Sequence, residues 1–464
     1  MSLPSSIDYT KILPIAAGNP RAMRRTFLPV NGQSFTAAGN NIVRIEISAD
    51  QFWDPLHSYL RFDVTNGAQT CGADFGGGHG FIRRLRLEQA GNVIMDTNRY
   101  DRLLSAILLP CQSGADSQAH RSITEMQTYG NSVAAAAINT PAAAAVADGG
   151  YLTAIANDST QIAALATTQY CIPLVGGLFS QEKLVPLQLL SSSPLTIEIE
   201  LSPAADAMVS AGGGNTDYTM SNIRYIASLV DVSPDVDAQV RMVQEMSGGH
   251  IVLNSTDYTH FNGNIPANAV GMQAINVPAR RKSMKSLLWV GASQTALNFL
   301  NYRNSFGGGL NLNSYHAKIG SVNHPATPVE ANFNVNGPGG TALNGRGEAF
   351  MELSKCFGTT GSVIGLGQLN RMNYAVRTGT AAEGRTAAST PFHFAPMGLD
   401  LEAFQRTAIE SGVNTADRST PITLVLDIGT GAAGAIPEAL NIDCYVSFDS
   451  LYYIDSTGII SVSH

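Results

Sequence analysis

Charged residues and cysteines are scarce in this chain. Only 14% of its 464 residues are charged, and the formal net charge is −8. An acidic balance argues against a protein that condenses nucleic acid over its whole surface, because such binding needs many Lys and Arg contacts to phosphates. The five cysteines are odd in number and contain no C-x-x-C pair. Neither a disulfide framework nor a zinc site is indicated, and scattered free thiols fit assembly in a reducing compartment.

Long apolar runs are missing as well. No stretch reaches the roughly 18 consecutive apolar residues that a transmembrane helix needs. Prolines interrupt residues 1–25, and the arginines there follow the apolar part, whereas a secretory signal peptide begins with its basic residues. We therefore expect a protein that is not secreted through a signal peptide.

Catalytic motifs are also absent from the sequence. It contains no G-x-x-x-x-G-K-[ST], H-E-x-x-H or G-x-S-x-G pattern. The nine histidines are dispersed, and no third ligand stands near His316 and His324 at a familiar metal spacing. We therefore predict no catalytic residue, no metal site and no cofactor, and hence no enzyme.

The chain does have many turn residues and a two-residue alternation. Its 45 glycines and 21 prolines indicate the many turns of an all-β protein. Residues 42–47 (IVRIEI) and 60–64 (LRFDV) alternate apolar and polar side chains, which is typical of half-buried strands. Residues 85–96 and 445–463 each predict two strands joined by a turn, which lies at Gly91–Asn92 in the first pair.

Two amphipathic segments predict helices among these strands. Residues 98–110 begin with an Asn98 that suits a helix N-cap, and Pro110 is expected to end the helix. Residues 348–358 have an apolar face and end in Gly358, a typical C-terminal cap. Two helices do not make the alternating β-α-β pattern of a parallel sheet.

An internal repeat spans about half the chain length. Residues 192–202 (SSPLTIEIELS) align with 419–429 (STPITLVLDIG), and residues 222–231 (NIRYIASLVD) align with 441–450 (NIDCYVSFDS). In both copies the first segment alternates apolar and polar residues, and a glycine-containing loop follows it. A repeat of this length predicts two similar domains.

Residues 422–435 (ITLVLDIGTGAAGA) suggest an alternative function. Gly429, Gly431 and Gly434 fit the G-x-G-x-x-G turn that binds dinucleotides, and the stretch resembles the cofactor loop of class I methyltransferases. The first strand of a dinucleotide-binding domain is apolar throughout, whereas this segment alternates. Pro437 would also interrupt the helix that these glycines should open. We favour an antiparallel strand with a glycine-rich loop and keep a cofactor-binding enzyme as an alternative.

Three clusters of basic residues have two interpretations. In an acidic chain, solvated charge or pairing with acids is favoured over a surface that lies near the phosphates of a genome or lipid. The clusters are Arg21, Arg24 and Arg25; Arg83, Arg84 and Arg86; and Arg280, Arg281, Lys282 and Lys285.

Segments along most of the chain resemble one protein family in their order and spacing. They are FLPVNG and FWDPLHSYLRFDVTN, then SMKSLLWV, YHAKIGSVNHPATPVEANF and EAFMELSKCFG, and finally GLDLEAF, SGVNT and FDSLYYIDSTGIISV. Together they resemble the double jelly-roll major capsid proteins of double-stranded DNA viruses, such as nucleocytoplasmic large DNA viruses, virophages and polinton-like viruses. The resemblance covers nearly all of residues 26–464, and only the Ala-rich insertion departs from it.

The resemblance implies an all-β fold of two tandem eight-stranded antiparallel jelly rolls with a few short helices and long loop insertions. The implied division is an N-terminal arm over residues 1–25, a first jelly roll over 26–232, a linker over 233–246 and a second jelly roll over 247–464. The Ala- and Gly-rich residues 132–169 are expected to be a surface insertion in the first jelly roll, on the outside of the shell.

The function implied by the resemblance is that of a major capsid protein. Three chains would form a pseudo-hexameric homotrimer, and these capsomers would tile an icosahedral virion shell around a double-stranded DNA genome. The implied partners are further copies of the chain, neighbouring capsomers, and penton and minor or cement proteins, without sequence-specific nucleic-acid binding. Contact with an internal membrane stays open. The implied location is the virion, assembled inside the host cell.

Two other functions remain as alternatives. One is the enzyme with a cofactor loop at Gly429–Gly434, and the other is a carbohydrate-binding β-sandwich. Sugar binding favours exposed aromatic side chains, but the only tryptophans, Trp53 and Trp289, both lie within predicted strands.

Overall fold

The structure is a computed structural model, and every structural statement below concerns the residues that it describes. These residues are 20–68, 71–74, 76–112, 121, 123–125, 163–190, 193–209, 217–293, 304–305, 312–331, 347–358, 369, 374, 395–403, 412–417, 421–429 and 439–463.

Strands dominate both halves of the chain. Strands β1 to β12 are Arg21–Phe27, Ser34–Thr36, Ile42–Ile47, Phe52–Asn66, Gly72–Ala73, Ile82–Gln89, Asn92–Asn98, Thr167–Ile172, Val185–Pro186, Leu195–Leu201, Met208–Val209 and Tyr218–Asp231. Strands β13 to β21 are His250–Ile265, Gly271–Val277, Met284–Ser293, Leu312–Ile319, Val322–Glu330, Met397–Asp400, Ile422–Ile428, Leu440–Asp455 and Ile460–Ser463.

The helices are short and lie between strands. Helix α1 runs through three consecutive segments, of which the middle one is π-helical: Tyr100–Arg102, Leu103–Leu108 and Leu109–Gln112. Helices α2, α3 and α4 are Ala204–Ala207, Pro234–Met246 and Gly347–Cys356. Single 3-10 turns occupy Gly77–Phe81, Gly177–Ser180 and Leu187–Leu190. No helix in the described ranges is long and apolar enough to cross a bilayer.

The two halves have the same sheet topology. In the first half one sheet has the order β1-β12-β4-β8 and the other β3-β10-β6-β7, while in the second half the orders are β13-β20-β15-β18 and β14-β19-β16-β17. When the eight principal strands of each half are numbered 1 to 8 along the chain, the two sheets have the strand orders 1-8-3-6 and 2-7-4-5 in both halves. Two antiparallel sheets wound in this order make a jelly roll. The predicted double jelly roll is confirmed.

The internal repeat explains why the halves match. β10 and β19, which carry the first repeated segment, both stand second in their sheets, and β12 and β20, which carry the next, also occupy matching places. In β10 and β19 every second residue, beginning with Leu195 and Ile422, is buried. The alternation buries one face of each strand in the space between two sheets, where it forms the core.

The core of each jelly roll is built around a tryptophan. Trp53 on β4 packs edge-to-face against Phe179 and Tyr225 at centroid distances of 5.9 and 6.2 Å. Trp289 on β15 packs edge-to-face against Tyr315 at 4.7 Å. Both tryptophans are completely buried. The prediction that they lie in strands is confirmed, and neither indole face is available to a sugar.

Three local predictions differ from the structure because of backbone geometry. The turn between β6 and β7 lies at Ala90–Gly91, where both residues have positive φ as a two-residue hairpin turn requires, and Asn92 already pairs in the ladder. Asn98 ends β7, and Arg99, with φ of 51°, precedes helix α1. The helix continues past Pro110, which lies just after the π-helical segment Leu103–Leu108, where the regular α-helical hydrogen-bond ladder is already interrupted.

Other predicted boundaries can be compared directly. Residues 234–246, expected to be a linker, form α3, which begins with a proline at its first turn. Residues 167–169, expected to end the insertion, begin β8, which pairs with β4. Residues 132–162 of the insertion lie outside the described residues. Gly358 follows α4 with φ of 61°, as predicted. The domain limits themselves stay a prediction.

Candidate functional site between the two jelly rolls

One face of the second jelly roll is covered by the first. Along β12 of the first half, buried residues largely alternate with partly exposed ones. In the equivalent strand β20 of the second half, residues 442–450 are all buried. Cys444 pairs with Trp289 in the core, so Asp443 and Tyr445 point to the opposite face of the sheet. Helix α1 of the first jelly roll packs on that face. We treat this junction as the candidate functional site because it sets the relative position of the two halves.

Arg102 of α1 is the centre of the junction. Its side chain is completely buried. Its Nε donates to Asp443 Oδ2 at 3.2 Å, and its two terminal nitrogens donate to the carbonyls of Asn304 and Gly291 at 3.0 and 2.6 Å. A buried guanidinium is tolerated only when paired and hydrogen-bonded, since its desolvation costs several kcal/mol. All three of these acceptors belong to the second half of the chain.

Asp443 is held in its ionised form by its surroundings. Its Oδ1 lies 2.9 Å from His260 Nε2, and its other oxygen accepts from Arg102. Burial alone would raise the pKa of this carboxyl. The hydrogen bond from His260 and the charges of Arg102 and Arg99 outweigh burial and lower the pKa to about 2.

Arg99 joins the same network from the start of α1. Its backbone carbonyl accepts from Tyr445 Oη at 2.9 Å, and its Nη2 donates to the Asn304 side chain at 3.1 Å. Its guanidinium also lies 3.3 Å from Asp101 and 3.7 Å from Asp206. Burial would lower the pKa of Arg99, but the nearby carboxylates outweigh it and raise the pKa. The positive φ of Arg99 turns β7 into α1 and brings these groups together.

Asp74 extends the network into the first jelly roll. The backbone N–H of Asn304 donates to Asp74 Oδ2 at 3.2 Å. Asp74 is completely buried, and desolvation raises its pKa to about 7, although hydrogen bonds from Ser305 and from backbone N–H groups act in the opposite direction. This carboxyl therefore changes its charge near neutral pH while it contacts the second half of the chain.

Gln89 of the first jelly roll forms further hydrogen bonds to the second. This side chain is buried; its amide donates to the Gly458 carbonyl and accepts from the Ile460 N–H, both at 2.8 Å. The side chain thus pairs with the start of β21 as a neighbouring strand would. Nearby, Ser255 Oγ donates to the Gly177 carbonyl at 2.7 Å.

At Gly177 the backbone of the first half lies close to a side chain of the second. A Cβ at this position would lie 2.6 Å from Met95 Sδ and 2.8 Å from Tyr452 Oη, and the backbone has φ of 50°. Asp257 on β13 lies beside the preceding residue, Gly176. Burial raises the pKa of Asp257 to about 7, with a hydrogen bond from the Tyr258 N–H and the charge of Arg281 acting against it.

The predicted cofactor loop is only partly described. Gly429 directly follows β19, while residues 430–438 lie outside the described residues. β19 is antiparallel to both β14 and β16 and buries alternate residues. A dinucleotide-binding strand lies in a parallel sheet, so the structure contradicts that alternative at this strand. The described residues contain no group of three metal-ligating side chains.

Three of the ten basic residues in these clusters pair with acids in the part of the chain that the structure describes. Arg84 binds Asp96 at 2.6 Å, Arg86 binds Glu88 at 2.8 Å, and Lys285 binds Asp449 at 2.9 Å. The first cluster differs, because Arg21, Arg24 and Arg25 lie on the exposed edge strand β1.

Neither Arg102 nor Asp443 is among the functional residues that the sequence predicts. One signal was present: in the second repeat copy, NIDCYVSFDS, Tyr445 places a large aromatic ring on the face where Asp443, Ser447 and Asp449 are polar. Burial on both faces produces such a pattern. The partner that covers the second face could not be read from the strand itself.

Comparison with solved structures identifies the fold over the whole chain. No protein-family model and no curated protein sequence matches the chain. The crystal structure of PBCV-1 VP54, fitted into a reconstruction of the virophage Sputnik, is 12% identical, with a TM-score of 0.57 over 98% of this chain and 99% of that chain. The Faustovirus major capsid protein is 9% identical, with a TM-score of 0.56 over 95% and 92%. The mavirus major capsid protein is also 9% identical, with a TM-score of 0.52 over 100% and 95%. The chain therefore has the double jelly-roll fold of these viral major capsid proteins.

Proposed function

We propose that this protein is a major capsid protein, a structural subunit of an icosahedral virion shell that encloses a double-stranded DNA genome. The observation that carries the proposal is the buried junction at Arg102 and Asp443, which holds two jelly rolls side by side as one building block. Two of the solved structures that share the fold along nearly their full length, from Faustovirus and mavirus, are named as major capsid proteins.

A chain with two equivalent jelly rolls is suited to a ring of six jelly rolls built from three chains. Three copies related by a threefold axis would present six similar units and form a pseudo-hexameric capsomer. In this proposal the partners are further copies of the chain, neighbouring capsomers, and penton and minor proteins. Burial of surface between subunits, and not catalysis, is then the activity of the molecule. Residues 132–162 would decorate the outer surface of the shell.

The test is the mass and shape of the purified protein. Light scattering should give about three times the 49.0 kDa of one chain. Negative-stain images should show particles with a hexagonal outline. A chain that remains monomeric at micromolar concentration, and that shows no hexagonal particles, would contradict the proposal.

A further inference from the structure

Among the described residues, the face of the first jelly roll that corresponds to the covered face of the second is only partly buried. The repeat aligns Arg224 on β12 with Asp443 on β20. Tyr225 packs against Trp53 in the core, so Arg224 points to the outer face of its sheet, as Asp443 does in the other half. Asp443 is buried beneath α1, whereas Arg224 remains partly exposed. Equivalent positions therefore differ both in what covers them and in the sign of their charge.

This outer face of the first jelly roll carries two arginines without an ion pair among the described residues, and Asp63 of β4 is the acid nearest to them along the strand on the same face. Arg224 stands directly opposite Arg61 of β4 in the strand register. Like charges in opposite positions destabilise a strand pair. Each of the two Nε atoms is buried without a hydrogen-bond partner, and neither guanidinium forms an ion pair with another described residue. Arg24 of β1 lies on the same face, where it donates to Tyr59 at 3.1 Å. We call Arg24, Arg61 and Arg224 the arginine face.

Helix α4 has the opposite charge pattern to α1. α4 lies between β17 and β18, as α1 lies between the matching strands β7 and β8. The start of α1 has two basic residues and one acidic residue, Arg99, Asp101 and Arg102. Helix α4 has two acidic residues and one basic residue, of which Glu352 and Lys355 pair with each other and leave Glu348 as the second acid. Glu348 is exposed, and Met351 beside it on the helix surface is 45% exposed.

We propose that α4 of one copy of the chain docks on the arginine face of another copy. This contact would repeat between chains what α1 does within the chain, where a basic helix meets Asp443. The proposal rests on the proposed function, since it names the contact through which subunits join. The occupant is a second copy because its second jelly roll supplies the matching helix with the complementary sign of charge.

The reversal of charge also makes the contact selective. A basic α1 meeting the arginine face would place like charges together, and so would an acidic α4 meeting Asp443. First and second jelly rolls must therefore alternate around a ring. Specific interfaces often combine attraction for the correct partner with charge repulsion of the wrong one. Alternation around six units closes with three chains.

Charge reversal on each side tests the contact. One variant combines Arg61→Glu with Arg224→Glu, a second combines Glu348→Arg with Glu352→Arg, and a third carries all four changes. The control is Arg241→Glu on the exposed side of α3, which reverses one charge at a residue outside the arginine face and outside α4. Sedimentation equilibrium measures the trimer dissociation constant, and circular dichroism checks the fold of each variant.

Each two-residue reversal should raise the dissociation constant by about 100-fold or more, because it places like charges in the contact. The variant with all four changes should recover most of the affinity, and the control should match the wild type. Where a reversal unfolds the chain, Arg61→Gln with Arg224→Gln replaces it and should raise the constant by about tenfold.

The outcomes separate this contact from the proposed function. Wild-type trimers together with unchanged trimers in both reversal variants would overturn the contact alone. Folded monomers in the variant with all four changes would overturn it as well. A wild-type chain that never associates would overturn both proposals.

Discussion

Arg102 and Asp443 form a buried ion pair, with 3.2 Å between Nε and Oδ2, although 341 positions separate them in the chain. The pair joins a helix of the first jelly roll to a strand of the second. Because neither charge reaches water, each depends on the other for its counter-charge. The two jelly rolls are thereby held in one relative orientation, which a subunit of a closed shell would need.

Replacement of one member of this buried pair should lower the free energy of unfolding much more than replacement of one member of a surface pair. We expect Arg102→Ala to lower the free energy of unfolding by about 3–5 kcal/mol, because Asp443 is left as a buried charge with less compensation. Arg44→Ala is the control. Its pair with Glu198 is 2.8 Å long, but the Arg44 side chain is 54% exposed, and its loss should cost about 1 kcal/mol or less. Urea denaturation measures both, and equal losses would contradict the central role of Arg102.

Gly177→Ala should loosen the contact between the jelly rolls. The new methyl group would collide with Met95 and Tyr452, in addition to the strain of a positive φ. Gly91→Ala is the matched control, because Gly91 has φ of 80° with no atom within 4 Å of its Cβ position. We expect a loss of about 1 kcal/mol for the control and about 1–3 kcal/mol more for Gly177→Ala. Similar melting temperatures for the two variants would show that the close approach matters little.

Leu424→Asp should prevent folding of the second jelly roll. Leu424 on β19 is completely buried in the core, so a charge there costs several kcal/mol. Thr423→Asp introduces the same side chain on the other face of β19, where the position is half-buried, and should be tolerated. Soluble yield and circular dichroism distinguish the variants. A folded Leu424→Asp protein would mean that the inward face of β19 is wrongly assigned.

Stability should depend on pH through Asp74 and Asp257. Both carboxyls have a pKa of about 7 in the folded chain, raised by burial from 3.8. The folded state therefore holds more protons than the unfolded state between about pH 4 and 7, and its stability falls as pH rises through this window. Asp443 acts oppositely, since its pKa is lowered to about 2 and its contribution is lost only as pH falls below 3.8.

Substitution of these two acids should flatten the pH profile. From pH 5 to pH 8, the wild type should lose on the order of a few kcal/mol more unfolding free energy than the variant Asp74→Asn with Asp257→Asn. The control is Asp455→Asn, because the pKa of the exposed Asp455 is lowered and this residue stays ionised throughout that range. Identical wild-type and variant profiles would show that neither acid changes charge near neutral pH.

Removal of residues 136–160 should leave both jelly rolls intact. This alanine-rich stretch has few large apolar side chains and can bury little apolar surface. A short Gly-Ser linker in its place should give a protein with the wild-type melting temperature and the same trimer mass by light scattering. Unfolding of the deletion variant would show that the segment belongs to the core.

The amino-acid sequence by itself determined the strands and their repetition. The alternation in β10 and β19 shows which residues of each strand face the core. The repeat indicates that the chain contains two similar units with such strands. The resemblance to viral capsid proteins predicted that these strands form jelly rolls. Local backbone geometry was predicted less well, because the π-helical turns before Pro110 and the positive φ of Arg99 depend on the packing of α1 between two bodies.

Only the tertiary structure decided how the two jelly rolls meet. Arg102 reads in sequence as an ordinary charged residue of an amphipathic helix, and Asp443 as an acid in a strand. Their pairing depends on the relative orientation of the two jelly rolls, which no local pattern encodes because contacts between bodies arise from residues far apart in the chain. The same holds for Arg61 and Arg224, whose positions directly opposite each other follow from strand register.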